Sequence, residues 1–81
     1  MRKVEKYNTI HRKEYGILID KLIKARKDAG LTQAQAADLL GWRQDYISKL
    51  ESKQRRVDVI ELADFAKIYK KPIDFFIDHL K

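Results

Sequence analysis

Cysteine is absent from the 81 residues, which excludes a disulfide framework and any cysteine-ligated zinc. Glycine occurs three times and proline once, too few for the many tight turns of an all-β fold. No apolar run approaches the roughly 18 residues that span a bilayer. The opening stretch, MRKVEKYNTIHRKE, lacks an apolar signal core, so a cytoplasmic location and no membrane contact are expected. His11 and His79 stand alone, with no H-x-x-x-H spacing and no clustered carboxylates around them. A glycine-rich phosphate loop and a Ser-His-Asp arrangement are missing too. No metal, no cofactor, no small-molecule ligand and no enzyme activity are therefore expected.

What remains is a soluble, folded composition: 44% hydrophobic and 37% charged residues. The length allows one domain with a single modest core. Eighteen Lys and Arg stand against 12 Asp and Glu, a net charge of +6. The excess sits in two blocks, residues 1–14 and residues 43–56, each with a net of +3. Such a balance suggests an acidic partner, most simply nucleic acid.

Helical periodicity runs through the whole chain and predicts five helices. Tyr15, Leu18, Leu22, Ala25 and Ala29 form one face of the first. Its start is expected as early as Asn8 or Thr9, and Gly30 marks its end. Thr32 and Gln35 form a capping box that opens the second, which meets Gly41. The third spans about Arg43 to Ser52, poorly capped, with Ile47 and Leu50 inward. Asp58 and Glu61 resemble a second capping box, and Val59, Leu62, Phe65, Ala66 and Tyr69 form the expected buried stripe of helix four. The fifth runs roughly from Ile73 to His79, with Pro72 suited to its first turn. Phe75, Phe76, Ile77 and Leu80 crowd this short helix, which makes them the candidate homodimer interface.

The stretch QAQAADLLGWRQDYISKL is the most informative. Two short helices meet at Gly41 with almost no linker, so they must cross steeply, as in a helix-turn-helix. Ala37 permits close approach, Gly41 takes the positive φ of the turn, and Ile47 fills the groove. Ala36, Leu40, Trp42 and Leu50 supply the remaining apolar contacts.

Arg26 with AGLTQAQAADLLG, followed by ISKLES, resembles the lambda-repressor and Cro class of helix-turn-helix proteins, also called the XRE type. The resemblance covers about residues 15–80. It implies an all-α, five-helix, lambda-repressor-like domain and a prokaryotic or phage-encoded transcriptional regulator. The expected division is residues 1–14 as a basic arm, partly a helical extension, and residues 15–81 as the DNA-binding domain. Within the arm, helix is expected for 9–14 and disorder for 1–7.

The resemblance implies base contacts at Gln44, Asp45 and Lys49, and turning by about 100° per residue points Ser48 outward with them. A Gln amide pairs with adenine, and Lys49 donates to guanine. Asp45 could accept from a cytosine amine or position Lys49 as an i,i+4 partner. It departs from the class, and a contribution to specificity is expected, by reading cytosine or by discriminating against wrong sites through an unpaired charge. The resemblance further implies that Gln33 clamps a phosphate and braces the recognition helix. Arg43, Tyr46 and the basic loop residues Lys53, Arg55 and Arg56 are the other expected phosphate contacts, with Gln54 lying among them. Arg26 and Glu51 are implied as a structural ion pair. Lys53 is a second departure, since many relatives have glycine there. It must adopt a left-handed conformation or let the helix continue.

The expected function is a sequence-specific regulator, a repressor acting as a homodimer on a palindromic site in double-stranded DNA. The alternative is a protein-interaction module, such as an antitoxin binding its toxin or a component of a restriction-modification system.

Overall fold

A computed structural model describes residue 10 and residues 12–81. Among the described residues the chain is all-α. Helix α1 spans Lys13–Asp28, α2 Gln33–Leu40, α3 Gln44–Glu51, α4 Val59–Ile68 and α5 Ile73–Ile77. A 3₁₀ turn, Asp78–Leu80, follows. The start of α1 is later than the sequence suggests, because Arg12 is extended (φ −85°, ψ 144°) and supplies no side-chain cap. Asn8, Thr9 and the expectations for residues 1–7 lie outside the described residues.

Both capping boxes form. Thr32 accepts from the Gln35 amide while Gln35 accepts from the Thr32 amide, and Asp58 and Glu61 do the same at α4. Helix ends share a second device, a left-handed residue followed by an amide that reaches back five residues. Gly41 (φ 71°) is one such residue, and Trp42 N–H then donates to the Ala37 carbonyl at 2.9 Å. Lys53 (φ 65°) and Lys70 (φ 57°) do the same without glycine, closing bonds from Gln54 to Lys49 and from Lys71 to Ala66. A lysine pays about 1 kcal/mol or more in this region. Helix α3 thus stops at Glu51, and Lys53 takes the left-handed option.

The core is built by one face of each helix. Ile19, Leu22 and Ala25 of α1 meet Ala36 and Ala37 of α2, Ile47 and Leu50 of α3, Leu62 and Phe65 of α4, and Phe76 of α5. Tyr69 stacks on Phe65, and Trp42 meets the same ring edge-on. Helix α5 folds back on α1 and α4. His79 then latches the C-terminus to α1. Lys21 has only hydrogens to give, so His79 Nδ1 accepts from it (3.2 Å) and His79 Nε2 donates to the Glu14 carbonyl (2.9 Å).

Two expectations are corrected here. Phe76 is fully buried, so it belongs to the core and not to an interface. The packing of α5 onto α1 turns Phe76 inward and leaves Phe75 and Ile77 half-buried. Val59 shares its helix face with Leu62 and Ala66, yet it is 72% exposed. It stands in the first turn of α4, past the edge of the core. Ile60 beside it is equally open.

Candidate nucleic-acid interface

The turn at Gly41 carries the chain from α2 into α3 through two residues, Trp42 and Arg43. The two helices pack closely because the α2 side of the contact is Ala36 and Ala37. Ile47 and Leu50 anchor α3 from below. Its opposite face is therefore left to solvent, and Gln44, Asp45, Ser48 and Lys49 are all exposed. Gln44 and Ser48 side chains form no hydrogen bond among the described residues, so their polar groups stay available. Asp45 lies between two cations, accepting from Arg43 Nε at 3.1 Å with Lys49 Nζ at 3.9 Å. These exposed pairs add little stability. They place two positive charges around the carboxylate on the exposed face of α3.

Beneath α3 lies a buried polar cluster. Arg26 donates from Nε and Nη2 to the two oxygens of Glu51, at 2.7 and 2.9 Å, and from Nη1 to the Leu31 carbonyl at 2.9 Å. Side-chain exposure of the pair is 11% and 8%. Hydrogen bonding to Glu51 raises the Arg26 pKa above its ordinary value. The Gln33 amide donates to Glu51 at 2.9 Å, so the first residue of α2 is tied to the last of α3. This bond takes one of the two Gln33 amide hydrogens and leaves the other without a partner among the described residues.

The loop after α3 is held by Tyr15. Its hydroxyl donates to the Arg55 carbonyl (2.7 Å) and accepts from the Val57 amide (3.1 Å). Sequence reasoning placed Tyr15 only on the apolar stripe. The requirement that a buried phenol find a partner is the signal that could have revealed more. Lys53 and Arg56 are exposed, and Arg56 has no partner among the described residues. Arg55 is less open than its neighbour. Its guanidinium turns inward to Glu61 Oε2 at 3.1 Å and lies over the Tyr46 ring at 4.8 Å. Of the two neighbouring arginines, the loop held by Tyr15 leaves Arg56 exposed and Arg55 partly buried. Tyr46 stands in the first turn of α3, half exposed.

Tyr69 presents the contrary case to Tyr15. Its hydroxyl is buried without a partner among the described residues, and burial, aided by Glu51, pushes the phenol pKa far up. Tyr69→Phe is expected to be neutral or to stabilise by about 1 kcal/mol, whereas Tyr15→Phe should destabilise by about 1–2 kcal/mol. Urea unfolding of the two variants checks the contrast, and equal losses would contradict it.

Among the described residues, no group of three or more His, Asp or Glu is placed to hold a metal ion. No helix there is long and apolar enough to cross a membrane.

A helix-turn-helix family model matches residues 22–76. Among solved structures, an XRE-family like protein from Pseudomonas syringae pv. tomato str. DC3000 is similar, with a TM-score of 0.80 and 38% sequence identity. The match covers 94% of this chain and 93% of that one. No curated protein matches.

Proposed function

This chain belongs to the XRE-type helix-turn-helix family of DNA-binding regulators, and on that premise we propose that it is a sequence-specific repressor of transcription that reads double-stranded DNA with α3. The observation that carries this reading is the exposed polar face of α3, rooted on its other side by Ile47 and Leu50. A helix of this diameter fits the major groove. Gln44 is assigned to adenine, Lys49 to guanine, and Ser48 to either neighbour. The two cations around Asp45 favour its role as a positioner of Lys49 and Arg43 over that of a cytosine acceptor. Gln33, Arg43, Tyr46, Lys53 and Arg56 are assigned to phosphates, which fix register without reading sequence.

Gel shifts at several salt concentrations test the reading. Affinity should fall steeply with salt, and Arg56→Ala should weaken all duplexes alike and flatten the slope by about 1. Affinity indifferent to salt and to this substitution would favour the protein-interaction module instead.

A homodimer on a palindrome would set its two α3 helices roughly 34 Å apart. With Phe76 removed, the candidate C-terminal surface is Phe75, Ile77 and the exposed Leu80. Val59 and Ile60 form a competing apolar surface. Sedimentation of Leu80→Glu and Ile60→Glu with operator DNA discriminates between them: the substitution on the true interface should yield monomer. A wild type that remains monomeric on DNA would remove the dimer.

A further inference from the structure

We infer that Arg55 is a positioning residue for Tyr46, and not itself a contact to DNA; the inference rests on the duplex-binding function proposed above. An arginine that grips phosphate needs its planar fork open to solvent. Arg55 has one edge committed to Glu61, with the two side chains only 24% and 20% exposed. Its other terminal nitrogen, Nη1, is buried with no partner among the described residues. The guanidinium carbon lies 4.8 Å from the Tyr46 ring centroid and 6.0 Å from that of Trp42, within cation–π range.

These contacts fix the Tyr46 ring while leaving the residue half exposed. Arg55 lies over the ring, and Trp42 meets it edge-on at 6.1 Å. Trp42 is in turn seated on buried Phe65 at 5.4 Å. The backbone that delivers Arg55 is held by the Tyr15 hydroxyl. A tyrosine confined in this way offers its hydroxyl to a phosphate in one place and loses less rotamer freedom on binding. Glu61 completes the arrangement. It closes the capping box of α4 and pairs with Arg55, so it ties the start of α4 to the flank of α3.

The test is the paired variant Arg55→Met with Glu61→Gln. It keeps the net charge of the chain, an apolar stem against the rings, and the residue type that closes the capping box with Asp58. Affinity for every duplex should fall about five- to tenfold with the salt slope unchanged, as expected when a single hydrogen bond is lost without loss of a phosphate-binding charge. Combination with Tyr46→Ala should be non-additive, since both act on one contact. The emission of Trp42, the sole tryptophan, should shift in the free protein. A slope reduced by about 1, as for Arg56→Ala, would make Arg55 a phosphate contact and overturn the inference. Affinity within twofold of wild type, or additivity with Tyr46→Ala, would overturn it as well. A wild-type chain that binds no duplex would instead defeat the proposed function. The cluster is then judged by Trp42 emission alone, and unchanged emission in the paired variant overturns it.

Discussion

Glu51→Ala should destabilise the protein by about 3–5 kcal/mol, the range for removing one partner of a buried ion pair. The physical reason is the state of Arg26 afterwards. Its side chain is 11% exposed, and two of its three donor nitrogens point at Glu51. Loss of the carboxylate leaves a buried charge that only the Leu31 carbonyl addresses. Gln33 loses its acceptor at the same time, so the tie between α2 and α3 opens. A domain of this size has a total stability of roughly 4–12 kcal/mol, so much of the population could unfold at ambient temperature. Replacing both partners, Arg26→Met with Glu51→Leu, should recover most of the loss, because no charge is then left unpaired. Urea titration followed by circular dichroism measures both variants. A Glu51→Ala loss below about 1 kcal/mol would place the pair in the class of exposed bridges.

Phe76→Ala is the second large effect, at about 3–5 kcal/mol. The phenyl ring is fully buried between α5 and the helices it covers, and it meets Phe75 edge-on at 5.1 Å. Truncation deletes those contacts and leaves a void that a close-packed core fills only in part. The loss should not depend on protein concentration, because the cavity lies within one chain. Thermal unfolding at two concentrations tenfold or more apart decides the matter. A destabilisation that disappears on dilution would return Phe76 to a subunit interface.

The pairing of Arg26 with Glu51 is implied by a family resemblance, since nothing local links positions 25 residues apart. The capping boxes at Thr32 and Asp58 were legible because their partners lie three residues away. Gly41 was legible because positive φ favours one residue type. The left-handed Lys70 was not, as lysine gives no sign of it.

Other losses arise where tertiary geometry decides. Phe75 and Phe76 are adjacent and chemically identical, and only the docking of α5 on α1 sorts one inward. Arg55 and Arg56 are sorted by the path of the loop, which depends on Lys53 and on a phenol 40 positions earlier. Val59 obeys the helical period yet finds no core below it. The exposed face of α3 followed directly from the inward pair Ile47 and Leu50, which is why the candidate site was more legible than its rim.

The most direct measurement is selection of bound sequences from a random duplex pool, with the wild type and with Gln44→Ala in parallel. The wild type should enrich a defined motif. Gln44→Ala should lose preference at one base pair, worth about 1–3 kcal/mol, and keep the remainder. A pool that enriches nothing, or a motif unchanged by substitution of Gln44, Ser48 and Lys49, would contradict the assignment of α3 as the reading helix.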